Sequence, residues 1–178
     1  MRKIIIFGSS EKTFELGRRK LSQLLNSYTT IGLNDFGLRN PVDYILLSDT
    51  SMGDKIIESG LYKGQKILTN RHCYKHKFKN KPQFNVAETF EPNGIEGSIA
   101  NSAFYAIWWA VKEGYTHIDL YGVLDADNYI QVANGNVYGY NSITGNKTCF
   151  DDNQYYVLKT LIENNWNGKV KICRPLKK

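Results

Sequence analysis

Short apolar runs punctuate the first half of the chain: Ile4-Ile5-Ile6-Phe7, Ile31-Gly32-Leu33, Tyr44-Ile45-Leu46-Leu47 and Ile67-Leu68. Each is followed at once by small or polar residues: Gly8-Ser9-Ser10, Asn34-Asp35, Ser48-Asp49 and Thr69-Asn70. A continuous apolar run of this length, closed by turn formers, reads as a strand buried on both faces. Strands are therefore predicted over 3–7, 29–33, 42–47 and 65–68. Phe14, Leu16, Leu21, Leu24 and Leu25 recur at spacings of a helix face, and 53–59 reads as one or two further helical turns before Gly64. Residues 84–90 alternate like an edge strand or extended connection.

The strongest helical pattern covers 97–113, opening with Gly97-Ser98 and stopping at Gly114; a strand over 116–121 follows and ends in Gly122. Residues 127–150 are rich in Gly, Asn and Tyr and read as a long loop or a small hairpin. Asp151 caps a last helix to about Asn164, Gly168 breaks the pattern, and 170–173 is a closing strand. Strands alternating with helices imply right-handed crossovers and a mostly parallel sheet. The expected fold is a single Rossmann-like α/β three-layer sandwich spanning 1–178, with a basic loop at 71–81.

Composition narrows the picture only a little. A chain of 178 residues, 42% hydrophobic and 22% charged, fits one soluble domain. No apolar run approaches the ~20 residues of a membrane span. The apolar stretch from Ile4 to Phe7 is too short for a secretory signal core. Cys73, Cys149 and Cys173 are widely spaced without a Cys-x-x-Cys pair, as expected in a reducing, cytoplasmic setting. A net charge of +6 favours phosphate-bearing partners, from nucleotides to nucleic acid, without choosing among them.

Candidate chemistry gathers at the ends of the strands, where open α/β sheets bind ligands. Gly8-Ser9-Ser10 permits close backbone approach, and a following helix start with Lys12 suits a phosphate. The same tripeptide also serves as a plain tight turn. Asn34, Asp35 and Asp49 can hydrogen-bond ribose hydroxyls or a base edge, or simply cap turns. Gly97 and Ser98 offer N–H groups and a hydroxyl to the same cleft. Asp125 and Asp127 can hold Mg²⁺ together with nucleotide phosphates, or cap their loop. His72, amid Arg71, Lys75, His76, Lys77, Lys79 and Lys81, is the first choice of general base and Asp125 the second. His72 and His76 lie four apart without a carboxylate between them, so a zinc site is not expected.

These pieces occur in an order that resembles the Rossmann-like clan containing the hydroxymethylpterin diphosphokinase (MptE-like) proteins and the small bacterial sialyltransferases. The matching residues are Ile4-Ile5-Ile6-Phe7-Gly8-Ser9-Ser10, Ile31-Gly32-Leu33-Asn34, Pro41-Val42-Asp43-Tyr44 through Asp49, and Gly97-Ser98 through Gly114-Tyr115, Ile118, Leu120, Gly122 and Asp125. The resemblance implies a transferase using a nucleotide or nucleotide-sugar donor, by glycosyl or diphosphoryl transfer. Two other functions compete: a binding protein that holds a nucleotide without turnover, and a nucleic-acid-associated protein using residues 71–81. No recognisable DNA- or RNA-binding motif supports the last.

Overall fold

Ile4, Ile5, Ile6 and Phe7 are all fully buried, which a strand achieves only when both of its faces are covered. They form β1 (Lys3–Phe7), the centre of the sheet. The computed structural model describes residues 1–8, 16–90, 102–123, 129–133, 136–139 and 166–173. The further strands are β2 (Thr29–Leu33), β3 (Tyr44–Leu47), β4 (Lys66–Asn70), β5 (Val86–Phe90), β6 (His117–Tyr121), β7 (Tyr129–Ala133), β8 (Asn136–Gly139) and β9 (Lys169–Cys173). The sheet order is β5-β4-β3-β2-β1-β6-β9-β7-β8. The run from β5 to β9 is parallel throughout; β7 pairs antiparallel with both β9 and β8. The expected mostly parallel α/β arrangement is thus what forms, and β7 and β8 pair antiparallel, as the hairpin alternative expected.

Alternation along the strands sorts the core into two layers. Ile4, Ile6, Ile31, Leu33, Leu46 and Leu68 pack with α5 (Ser102–Lys112) through Ala103, Ala106, Ile107 and Ala110. Ile5, Phe7, Ile45, Leu47 and Ile67 face the other way. There they meet α1 (Arg18–Ser27), α2 (Asn34–Arg39), α3 (Thr50–Glu58) and α4 (Arg71–Cys73), through Leu24, Phe36, Leu38, Ile56 and Cys73. Each fully buried isoleucine stabilises the fold by roughly 1.5–3 kcal/mol in transfer terms. None of the described helices is long and apolar enough to cross a membrane.

The structure corrects several boundaries. Helix α1 begins at Arg18, where Gly17 takes φ 73°, outside the helical region, and fixes the start; Phe14 lies outside the described residues. Asn34 opens a short helix, α2, instead of a simple turn. The basic segment is helical, with α4 running into a π-helical turn at Tyr74–Phe78. The Asn70 side chain accepts the Cys73 N–H at 2.7 Å and so caps this helix. Cys73 and Phe78, five residues apart, both reach the core; a π turn brings that spacing onto one side. Ser9, Ser10, Lys12, Gly97, Ser98, Asp125, Asp127 and the expected helix over 151–164 lie outside the described residues.

The path of the chain locates the crevice. From β1 it steps outward through β2, β3, β4 and β5, then returns through α5 to β6 on the other side of β1. Connections leaving the carboxyl ends of β1 and β6 therefore diverge, the place where open α/β sheets receive ligands.

Candidate functional site at the carboxyl edge of the sheet

At the end of β1, Gly8 donates its N–H to the Tyr121 carbonyl at 2.8 Å. A Cβ on Gly8 would lie 2.3 Å from the Gly122 carbonyl oxygen. The glycine therefore lets β1 and β6 stay side by side past their last residues. Gly122 turns away with φ 64°.

At the end of β2, a second glycine contact sets the geometry. A Cβ on Gly32 would meet the Gly37 Cα at 2.4 Å, and one on Gly37 would meet the Gly32 carbonyl oxygen at 2.5 Å. Helix α2 consequently lies directly against the strand that precedes it. The chain makes this reversal at Asn34, with φ 48°, a left-handed conformation that asparagine tolerates better than most residues. Asn34 Oδ1 is buried and has no hydrogen-bond partner. A buried amide oxygen left unpaired is costly, by about 1–3 kcal/mol, and calls for an explanation.

Asp35, next in sequence, is committed elsewhere: Lys55 Nζ approaches its two oxygens at 2.6 and 2.7 Å, and Arg39 Nη2 lies at 3.7 Å. Asp49 caps α3, accepting the Met52 N–H at 2.8 Å and the Ser51 hydroxyl at 2.5 Å on the same oxygen. The Ser51 hydrogen bond, aided by the backbone and opposed by desolvation, holds its carboxyl below the ordinary aspartate range. Both carboxylates therefore do the structural work that their positions also allowed.

The strand ends supply neutral groups that sequence reading passed over. Ser48, after β3, shares a 2.8 Å hydrogen bond with Ser102, the first residue of α5. Its carbonyl also accepts a hydrogen bond from the Asn70 amide at the end of β4. Ser48 thereby ties β3, β4 and α5 together at one edge. The first residues of α1 were missed as well. Arg18, Arg19 and Lys20 stand at a helix start with no acidic residue and no side-chain cap, and they line a cavity of about 370 Å³ with Leu16, Gly17 and Gln23. Three successive cations at the positive end of a helix dipole run against the usual preference, and that was the available signal.

His72 is set apart from this rim. It is exposed, and its ring packs on His76 at 4.4 Å between centroids. It follows β4, three strands from β1, or about 14 Å at the usual strand spacing. The structure thus places Gly8, Asn34 and Asp49 on one edge and leaves His72 at its flank. Among the described residues no group of three or more His, Cys, Asp or Glu can hold a metal ion. Asp35 and Asp49 are already engaged, so the described part of the edge offers Mg²⁺ no carboxylate pair. What it offers is an amide, hydroxyls and backbone groups, suited to hydroxyl-rich or heterocyclic ligands.

No family model and no curated protein matches the chain. Among solved structures it is similar to the sialyltransferase CstII from Campylobacter jejuni in complex with a substrate analogue, CMP-3FNeuAc. The two share 16% identity over 99% of this chain and 82% of that one, with a TM-score of 0.53. The same enzyme in complex with cytidine-5'-monophosphate aligns at 16% identity, over 99% and 81% of the two chains, with a TM-score of 0.49. The likeness to the CMP-3FNeuAc complex establishes fold: the chain has a sialyltransferase-like, Rossmann-like α/β architecture.

Proposed function

We propose that the chain is a glycosyltransferase-type enzyme that receives a nucleotide-sugar donor at the carboxyl edge of β1, β2, β3 and β6. The buried, unpartnered Oδ1 of Asn34 carries this reading. It sits where α/β folds take ligands, on backbone fixed by the Gly32–Gly37 contact, and a donor hydroxyl or amino group satisfies it. The fold shared with CstII in complex with CMP-3FNeuAc adds support from architecture.

In this reading Asn34 orients the donor, with Ser48 and Ser102 bracing the neighbouring strand end. Gly8, Ser9, Ser10, Lys12, Gly97 and Ser98 are the proposed further contacts. Arg18, Arg19 and Lys20, at the dipole end of α1, join Lys12 in offsetting charge on the leaving phosphate. Catalysis is then mostly positioning and charge stabilisation. Of the proposed bases, Asp125 follows β6 in the chain, next to β1 in the sheet, whereas His72 follows β4; Asp125 is preferred. Asp125 and Asp127 remain the proposed Mg²⁺ ligands.

The test is a thermal-shift series with CMP, UDP, GDP and their sugar conjugates, with and without Mg²⁺. One nucleotide sugar is expected to raise the melting temperature by mass action, and Asn34→Gly to abolish the shift. The same donor is then hydrolysed or transferred, and Asp125→Asn slows turnover far more than it weakens binding. If no nucleotide or nucleotide sugar moves the melting temperature, the proposal fails. One observation favours a second reading, a binding protein without turnover: both described rim carboxylates, Asp35 and Asp49, are engaged in structural contacts. A donor bound tightly and returned intact decides for it.

A further inference from the structure

The charge of this protein is concentrated in one stretch. Residues 59–87 contain seven lysine or arginine residues and no carboxylate, against 23 and 17 in the whole chain; the remainder is therefore close to neutral. Within the stretch, α4 and the π turn after it sort their side chains sharply. Cys73 and Phe78 are buried in the core, Tyr74 is half-buried against it, and Lys77 reaches back to Asp54 at 2.5–2.6 Å. Arg71, His72, Lys75, His76 and Lys79 are all exposed. Arg71, Lys75 and Lys79, four apart in sequence, give α4 and its π turn an exposed basic stripe, with the two histidines beside it.

This stripe begins at the site already described. Asn70, which caps α4, also bonds the Ser48 carbonyl. Arg71 therefore stands at the rim, and the stripe leads from the rim down the flank of the molecule. We propose that it is the acceptor-side surface, and that the acceptor is an anionic glycan whose charged sugars lie along the stripe while its reacting end enters the crevice; this rests on the transferase reading above. Nucleic acid fits less well. Binding of single strands relies on displayed aromatic platforms, but Tyr74 and Phe78 face the core and the histidine rings pack on each other.

Three labelled probes test the proposal by fluorescence anisotropy: tetragalacturonate, neutral maltotetraose and a 12-nucleotide single-stranded RNA. Wild type is compared with Lys75→Glu/Lys79→Glu, whose fold is verified by circular dichroism. Tetragalacturonate is expected to bind, less tightly at higher salt, and maltotetraose not to bind. The double variant is expected to lose roughly tenfold or more in affinity for tetragalacturonate, with its nucleotide-sugar thermal shift unchanged. Equal binding of maltotetraose, an unaffected double variant, or RNA bound more tightly than tetragalacturonate overturns the proposal. If tetragalacturonate binds as expected but no nucleotide sugar shifts the melting temperature, the transferase reading falls and the acceptor role falls with it, leaving only an anionic-glycan surface.

Discussion

Gly8 and Gly122 are in backbone contact across the ends of β1 and β6: the Gly8 N–H is bonded to the carbonyl just before Gly122, and no Cβ fits between them. Gly8→Ala is expected to force the two strand ends apart and to destabilise by about 2–3 kcal/mol. That corresponds to a fall of roughly 5–10 °C in melting temperature. Gly60→Ala is the control, since a Cβ there meets nothing within 4 Å and only the φ of 65° opposes it. It is expected to cost about 1 kcal/mol.

Asn34 separates a structural role from a binding role. Asn34→Gly keeps the left-handed backbone accessible and removes the unpaired buried oxygen. Its melting temperature is therefore expected to stay within a few degrees of wild type while the donor-induced shift disappears. Asn34→Ala is expected to be less stable than Asn34→Gly by about 1 kcal/mol, from backbone strain alone. Equal loss of stability in both, with donor binding intact, means that the amide serves only the turn.

Asp49 gives a pH signature. Its carboxyl titrates below the ordinary aspartate value because Ser51 and the Met52 N–H favour the ionised form. A depressed folded-state value means the contribution is fully present above the unfolded aspartate value and is lost as pH falls through the folded one. Asp49→Ala is expected to cost about 1 kcal/mol in urea unfolding at pH 7. The gap between variant and wild type narrows below about pH 4. Ser51→Ala makes that loss smaller and brings it to completion at higher pH.

Cys73 and Cys173 are free thiols that burial makes unreactive. Burial pushes the Cys173 thiol up to about 11, with the nearby Asp119 charge adding to the effect. At pH 8 roughly one molecule in a thousand then carries its thiolate. Peptide mapping after iodoacetamide treatment at pH 8 is expected to find both positions largely unmodified in native protein and fully modified in urea. Rapid native labelling at Cys173 means that β9 is not covered as described.

The strands were legible because burial on both faces leaves an uninterrupted apolar word, as at Ile4–Phe7 or Ile45–Leu47. Helix α4 and the π turn after it were not, because Lys75, Lys77 and Lys79 hide a periodicity carried by the buried Cys73 and Phe78. At the site, Asn34 was readable as a polar residue ending a strand. Its neighbours Asp35 and Asp49 were readable as ligands or as structural groups, and local chemistry decided: a lysine one helix away claimed the first, a helix start the second. Ser48 and Ser102 were out of reach, since 54 residues separate two hydroxyls that only the crossover through α5 brings to 2.8 Å.

The reciprocal contact of Gly32 with Gly37 has a consequence for the kinetics of recognition. Because that packing holds the bend at Asn34 in place, a donor bound as proposed above is expected to find its anchor already set, with no loop left to organise. Encounter is then governed by diffusion and charge, and selectivity among ligands is exercised in how long each one stays.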